Sequence, residues 1–176
     1  MEQRHPWVGV GEGLVAVREL GPPLAVEEPR HGEDPADCTT CGRGPDELEV
    51  YRDALWRVRA ISSTAFAGSC MLMPLRHADG VAGLDAEELA TYGPMVARIS
   101  AALMGVIGFR GARTARVHSH LWNDGGAHLH QWFFPRPYGY QEMLGSTLVE
   151  WEETLPRATA DEVAAAAADL RARLTR

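Results

Sequence analysis

The sequence predicts an α+β fold in which helices pack against a sheet of short strands. Two stretches begin with helix-capping residues, at Asp85 and at Thr159, and several short apolar runs bounded by Gly, Pro and Ser are typical of strands. The chain has 176 residues, the length of one domain with a core of its own. We expect an N-terminal arm over residues 1–37 and a single domain over residues 38–176.

Composition restricts the class of partner. The formal net charge is -7, with 45% hydrophobic and 23% charged residues. A nucleic-acid backbone favours a basic surface, so we expect no nucleic-acid partner. No apolar run reaches membrane-spanning length, and the first residues lack the basic end and apolar block of a signal peptide. We therefore expect a cytoplasmic protein without a membrane partner; a small anionic substrate remains compatible, because the charge of a pocket can oppose the net charge.

The first part of the chain is predicted to contain an arm and three strands. Residues 1–37 are rich in Gly, Pro and charge, which indicates a loosely structured arm, and an apolar segment at 13–17 fits an edge strand or a hairpin. Apolar residues over 47–61 indicate two short strands. Residues 69–75 have the pattern of a buried strand that Pro74 closes, which leaves His77 just beyond its end. Cys70, inside this strand, is expected to be a small core residue.

The main helix is expected to begin at Asp85, since Glu88 follows three residues later in the arrangement of a capping box. The residues that recur at helical spacing and predict its apolar face are Leu89, Tyr92, Val96, Ile99, Leu103 and Ile107. The helix is therefore expected to extend to about residue 107. Met95 and Met104 lie within it and are expected to pack in the core.

The C-terminal part of the chain contains one ambiguous segment and one clear helix. Residues 144–151 fit either a short helix or an edge strand. Thr159 and Glu162 have the form of a second capping box. They predict the start of an Ala-rich helix that ends near Leu174.

The stretch 123–137 places two histidines inside an apolar strand pattern. We expect a strand here, from the Gly-rich turn at 124–126 to Pro135 and Pro137, which cannot donate to a sheet ladder. Successive side chains of a strand point to opposite faces. One face would carry His128, His130, Trp132 and Phe134, and the other Ala127, Leu129, Gln131 and Phe133. Two imidazoles would thus be presented side by side.

A second histidine pair, His118 and His120, lies on the preceding strand, which is predicted over 115–122. A three-residue turn at 123–125 would place 118 opposite 130 and 120 opposite 128, with four imidazoles on one face. A two-residue turn at 124–125 moves the register by one and turns the second pair away. The residue pattern leaves both registers open.

Cys38 and Cys41 have the spacing by which two thiolates bind one zinc ion, or by which a redox dithiol works. With Cys70 the chain has three cysteines, too few for a disulfide scaffold. Taken alone, the pair is compatible with either chemistry.

In their order along the chain, these motifs resemble those of the histidine triad superfamily. The corresponding residues are Cys38 and Cys41; Pro74 and His77; the helix capped by Asp85; Asn123 and Gly125; and His128, His130, Trp132, Pro135 and Arg136. The resemblance covers about residues 38–137. The motif pattern is most similar to that of the branch related to galactose-1-phosphate uridylyltransferase. That branch also replaces the third histidine of the triad, usually by Gln, and this chain has Trp132 at that position.

The resemblance implies a histidine-triad-like, antiparallel half-barrel sheet with a packed main helix and a C-terminal helix, usually in a homodimer. It implies a nucleotide or nucleotide-sugar substrate and His130 as the nucleophile that attacks the α-phosphorus and forms a covalent nucleotidyl-histidine. The implied ligands of a structural zinc ion are Cys38, Cys41, His77 and His128. The implied substrate contacts are Asn123, Gln131, Trp132 and Arg136. The family pattern, with Asn123 directed at the site, favours the register in which His118 and His120 face away.

Trp132 distinguishes this chain from the family pattern. An indole donates a hydrogen bond but cannot serve as a general acid at neutral pH. Leaving groups that are stable as anions do not need such an acid, so nucleotidyl transfer or phosphorolysis is favoured over phosphoramidate hydrolysis. Two alternatives stay open: a catalytically silent, zinc-stabilised binding module, and a metalloenzyme that uses a cluster of His118, His120, His128 and His130.

Overall fold

Five antiparallel strands form one open sheet, in the order β1-β2-β3-β5-β4. The computed structural model describes residues 22–23, 25–145 and 148–176. In this part of the chain the strands are β1 (Glu49–Arg52), β2 (Trp56–Ala60), β3 (Cys70–Pro74), β4 (Thr114–His120) and β5 (Gln131–Pro137). The helices are α1 (Thr39–Gly42), α2 (Ala86–Leu103), α3 (Leu148–Thr154) and α4 (Ala160–Leu174). The predicted α+β class with an antiparallel sheet is confirmed.

The strands predicted over 47–61 and 69–75 are confirmed as β1, β2 and β3. Pro74 is the last residue of β3, and Cys70 is fully buried in the core. The apolar segment predicted at 13–17 lies outside the described residues. No helix in the described part of the chain is long and apolar enough to span a membrane.

Helix α2 begins as predicted and ends earlier than predicted. The side chain of Asp85 accepts from the amide of Glu88 at 2.9 Å, and the carboxylate of Glu88 accepts from the amide of Asp85 at 2.8 Å. The helix ends at Leu103, after which the amides of Gly105 and Val106 donate to carbonyls three residues earlier, and the guanidinium of Arg173 occupies the space beside Gly105. Met95 is buried as predicted, but the prediction for Met104 is wrong, since it is 42% exposed beyond the helix end.

The ambiguous segment at 144–151 contributes to helix α3. The carboxylate of Glu152 anchors this helix, accepting from the amide of Ala65 at 2.8 Å and from the hydroxyl of Thr64 at 3.0 Å. Helix α4 begins with the predicted capping box of Thr159 and Glu162 and ends at Leu174, as predicted. It packs against β1 and α2.

Hydrophobic residues form two clusters, on opposite faces of the sheet. Phe133 belongs to the larger cluster, which includes apolar residues of α2 and α4. The next residue, Phe134, belongs to the smaller cluster, with Phe66, Phe109 and Leu148 of α3. Because successive strand residues point to opposite faces, β5 is covered on both sides.

The position of the histidine strand was predicted wrongly. Strand β5 begins only at Gln131, so His128 and His130 precede it, and it continues through Pro135 and Pro137. Strand β3 pairs with β5 only as far as Phe133. The two prolines therefore lie where β5 has one neighbouring strand, β4, and a missing N–H can be tolerated on the open side.

Neither predicted turn joins β4 to β5. His120 pairs with Trp132 and His118 with Phe134, so residues 121–130 form a long connection instead of a tight hairpin. This connection bonds to other parts of the chain: the amide of Leu129 donates to the carbonyl of Ala78 at 2.7 Å. As a consequence, His118 and His120 lie on the face of Trp132, and the expectation that they face away was wrong.

Candidate functional site

The four residues predicted to bind zinc come together in the structure. The ligand atoms of Cys38, Cys41, His77 and His128 all lie within 4.8 Å of one another. The Cys41 sulfur is 3.4 Å from Nδ1 of His77 and 3.4 Å from Nδ1 of His128. The Cys38 sulfur is 3.5 Å from the same nitrogen of His128. Three separate segments supply these atoms: the start of α1, the end of β3 and the connection that precedes β5.

The geometry of this cluster fits a zinc ion. With Zn–S of about 2.3 Å and Zn–N of about 2.0–2.1 Å, a tetrahedral site separates sulfur from nitrogen by about 3.6 Å. The observed sulfur–nitrogen separations of 3.4–3.5 Å are close to that value. Nε2 of His128 lies 3.0 Å from the carbonyl oxygen of Pro74. This bond places the ring proton on Nε2 and leaves the Nδ1 lone pair for a metal, the usual outer-shell arrangement.

Burial favours the uncharged forms of the thiol and imidazole groups in this cluster. It raises the pKa of the Cys41 thiol to about 11, together with the neighbouring Cys38 sulfur. Burial also lowers the pKa of His128, which keeps its imidazole neutral. A neutral imidazole is the ligand form, whereas the thiols must lose protons when a metal binds.

Arg57, which sequence analysis missed, holds the cysteine loop in place. This buried side chain of β2 donates to the carbonyl of Arg43 at 2.8 Å and reaches the carbonyl of Thr40 at 3.5 Å. Its Nε lies 3.6 Å from the carboxylate of Glu49. The sequence did not single it out, because Arg57 and Arg59 both alternate with apolar residues in this strand. Its role is to fix α1, and with it both cysteine sulfurs, against the sheet.

Replacement of Arg57 by Met should weaken zinc binding about 10-fold to 100-fold, the usual cost of losing an outer-shell contact at a metal site. Competition with a chromophoric chelator measures the affinity. The matched control is Arg59→Met on the same strand, since Arg59 pairs with Asp46 at 2.9 Å instead of the cysteine loop. Equal zinc affinities for the Arg57 and Arg59 variants would contradict this role.

The segment that precedes Cys38 is bound to the loops that carry His77 and His128. The guanidinium of Arg30 forms two bonds with Asp79, at 2.9 and 2.5 Å, and one with the carbonyl of Asn123 at 3.2 Å. Gly32 has a φ of +77°, and a Cβ atom added to this residue would lie only 3.3 Å from Cys38. Its missing side chain allows this close approach. The loose arm expected from composition is therefore not found over residues 30–37.

His130 is held by a hydrogen bond beside the cluster of cysteines and histidines. Its Nδ1 lies 2.7 Å from the carbonyl oxygen of His128, so Nδ1 carries the proton and donates it. Nε2 then has the lone pair. The backbone amide of His130 donates to Oδ1 of Asn123 at 3.5 Å, and Asn123 adopts a left-handed φ of 57. Asn123 thus shapes the loop that presents the imidazole.

Aromatic rings lie on one side of His130, where Trp132 is its neighbour. The ring of Trp132 lies 6.1 Å from that of His130 and is parallel to that of Phe134 at 5.9 Å. Trp122 is 43% exposed, and its ring stacks on His120 at 4.8 Å. Trp132 also packs against the smaller hydrophobic cluster that includes α3. The imidazole therefore stands at the edge of an aromatic surface suited to a flat ligand ring.

Two predicted substrate contacts lie away from the His130 side chain. Gln131 is buried on the other face of the sheet, where its side-chain oxygen accepts from the hydroxyl of Tyr92 at 2.6 Å. It connects β5 to α2. Arg136 shares the face of Trp132 and lies four residues further along β5, about 13 Å at 3.3 Å per residue.

The four-histidine cluster is not formed. Within the described residues, the only group of three or more potential metal ligands is Cys38, Cys41, His77 and His128. His128 faces the cysteines, whereas His120 lies opposite Trp132 and stacks on Trp122. The arrangement gives no support to a metalloenzyme based on His118, His120, His128 and His130.

Comparisons with known proteins identify the fold. No protein-family model and no curated protein matches the sequence. A zinc-bound histidine triad family protein from Mycobacterium smegmatis is 19% identical and aligns over 77% of this chain and 88% of its own, with a TM-score of 0.55. A Hit-like protein involved in cell-cycle regulation from Bartonella henselae is 16% identical over 81% of this chain and 96% of its own, with a TM-score of 0.58. A uridylyltransferase is 17% identical over 78% of this chain, which spans 47% of that protein, with a TM-score of 0.56. The chain has the histidine triad fold, as predicted.

Proposed function

From this fold and its site we propose that the chain is a nucleotide-processing enzyme, a nucleotidyltransferase or hydrolase that forms a covalent nucleotidyl-histidine at His130. The hydrogen bond from Nδ1 of His130 to the carbonyl of His128, 2.7 Å long, carries the proposal. It fixes the tautomer in which Nε2 is unprotonated. In the neutral imidazole held in this way, the lone pair is on Nε2, the nitrogen that would act as the nucleophile.

In the first step, the Nε2 lone pair attacks the α-phosphorus of a nucleotide. An N–P bond forms, and the bond from phosphorus to the leaving oxygen breaks with its electron pair on that oxygen. The imidazole ring becomes cationic while it carries the nucleotidyl group. The carbonyl of His128 stabilises that charge through the Nδ1 proton, as a fixed dipole aimed at developing charge. In the second step, water or an acceptor hydroxyl attacks phosphorus, loses its proton to solvent and releases neutral His130.

Trp132 restricts the kinds of leaving group that can depart from phosphorus in this site. Its indole N–H can donate a hydrogen bond but cannot deliver a proton to a departing amine. Phosphates and diphosphates leave as stable anions, so a nucleotide sugar or a nucleoside polyphosphate fits this site better than a phosphoramidate. The aromatic surface formed by Trp122 and Trp132 is suited to stack a nucleobase, and Asn123 supports the loop beside it. The uridylyltransferases that share this fold make nucleotide sugars the first substrates to test.

A zinc ion would be held by Cys38, Cys41, His77 and His128 and would supply a structural crosslink. It would join the N-terminal segment to the loop that carries His130. The zinc-bound histidine triad protein from Mycobacterium smegmatis supports this part of the proposal.

The test is capture of the intermediate. We expect incubation with nucleoside diphosphate sugars and dinucleoside polyphosphates, followed by rapid acid-free quenching, to add the mass of one nucleotidyl group to a peptide containing His130. The matched reaction with His130→Asn should show no adduct. Tight nucleotide binding without any adduct or turnover would instead identify a catalytically silent, zinc-stabilised binding module.

A further inference from the structure

A cavity lies on the same face of the sheet as Trp132, at the end of β4 and β5 that is far from His130. It has a volume of about 500 Å³, within the range of about 300–1,000 Å³ common for small-molecule sites. Its polar lining includes Arg113, Arg116, His118 and Arg136. Three guanidinium groups thus line one cavity in a chain whose formal net charge is -7.

The pairing of β4 with β5 places two of these arginines directly opposite each other. Arg116 and Arg136 are register partners. Like charges directly opposite each other in a sheet are ordinarily destabilising. In the described part of the chain, neither guanidinium forms an ion pair with a carboxylate. The described carboxylates therefore do not compensate this repulsion.

Arg136 is also nearly buried. It is 9% exposed, and the one side-chain hydrogen bond that it forms with another described residue, 3.4 Å long, is to the carbonyl of Pro137. Burial and the charge of Arg116 lower the pKa of Arg136. A nearly buried cation without an anionic partner among the described residues is costly, so a ligand that supplies the anion would bind with that cost reduced.

The neighbouring groups complete a site for an anion. Burial and Arg136 lower the pKa of His118, so its ring is neutral and can donate one N–H. Arg113 is held over the ring of Tyr138 at 4.0 Å, which positions its guanidinium at the cavity wall. Guanidinium groups form paired bonds with phosphate oxygens, so the arrangement is suited to a multiply charged oxyanion.

We propose that the cavity lined by Arg113, Arg116 and Arg136 is a binding site for a phosphate-type anion, separate from His130. Within β5, Arg136 lies four residues, about 13 Å, beyond Trp132, whereas His130 precedes the strand, so the two are too far apart for one phosphate group to contact both. The site takes phosphate or, more tightly, diphosphate, since three cations face it. It does not depend on catalysis at His130.

Calorimetric titration of the zinc-loaded protein with inorganic phosphate and with pyrophosphate, at low ionic strength, tests this proposal. We expect one pyrophosphate per chain, bound more tightly than phosphate and more weakly as salt is added. Arg116→Gln and Arg136→Gln should each weaken pyrophosphate binding about tenfold or more, the cost of one charge-assisted contact. Arg116 is exposed, so its variant folds even if the Arg136 variant does not.

Two control variants test whether pyrophosphate binds in this cavity and not elsewhere on the protein. Arg176→Gln removes the same charge at an exposed terminal position and should leave the affinity unchanged. His130→Asn should also retain pyrophosphate binding. Unchanged affinity in both the Arg116 and Arg136 variants, a loss in the Arg176 variant as large as theirs, or a loss of binding in the His130 variant would each overturn the proposal.

Discussion

Replacement of His130 by Asn should lower turnover of the nucleotide substrate by at least about 10³-fold, the scale seen when a covalent nucleophile is removed. Asn is the informative replacement because its amide can still donate to the carbonyl of His128, the acceptor that lies 2.7 Å from Nδ1 of His130. The variant therefore keeps the contact that orients the side chain and loses only the attacking nitrogen. Steady-state kinetics with the best substrate from the nucleotide-sugar screen measures the effect.

The kinetic result is interpretable only if the variant is otherwise intact. Zinc content and melting temperature of His130→Asn should equal those of the unaltered protein, since His130 is not one of the four clustered ligands. Nucleotide binding, measured by thermal shift, should be retained. Turnover within tenfold of the unaltered protein would remove His130 from the nucleophile's role and, with it, the proposed covalent mechanism.

Local signals in the sequence predicted most of the elements correctly. The capping boxes at Asp85 and Thr159 depend on residues three apart, and both form as predicted. Pro74 is the last residue of β3, as its position at the end of an apolar run predicted, and the fully buried Cys70 follows from that same run. Such signals depend on neighbours along the chain, so they are readable without knowledge of the tertiary structure.

Pairing between strands could not be predicted in the same way. The register of β4 and β5 depends on how residues 121–130 bond to distant parts, such as the bond from Leu129 to Ala78. A tight turn would have given a different partner for His120. The prolines of β5 are tolerated because β3 ends its pairing at Phe133. The end of that pairing is set by the arrangement of neighbouring strands, which the sequence of β5 does not reveal.

The contacts that support the site could not be predicted from the sequence for a related reason, because they join residues that are far apart along the chain. Arg30, Arg57 and Asp79 lie outside the spaced motifs, yet Arg30 joins the N-terminal segment to Asp79 and Arg57 holds the cysteine loop. The cluster of Cys38, Cys41, His77 and His128 was predictable because its motifs are spaced in order along the chain. Arg57 acts on backbone carbonyls and Arg30 on a carboxylate far away in the sequence, and such contacts leave no trace in residue spacing.

Removal of zinc should lower the melting temperature by about 8–16 °C. A metal present at about 1,000 times its dissociation constant stabilises the folded state by about 4 kcal/mol, and 1 kcal/mol corresponds to about 2–4 °C in a domain of this size. The physical reason is the loss of a crosslink among three distant segments, those that carry Cys38, His77 and His128. Differential scanning calorimetry with and without a chelator, and with zinc restored, measures the shift.

A pair of cysteine variants shows whether the metal site itself is responsible for the fall in melting temperature. Cys41→Ser should hold no zinc and should melt at the temperature of the chelated protein, whether or not zinc is added. Cys70→Ala removes a thiol that lies in the core and outside the cluster, so it should keep one zinc per chain and lose only a modest packing contribution. Stoichiometric zinc in Cys41→Ser would show that the metal binds elsewhere, and an unchanged melting temperature of the chelated, unaltered protein would show that it contributes no stability. Either result would contradict a structural zinc at these four residues, and the position of His130 would then rest on contacts such as those with Asn123 and the His128 carbonyl.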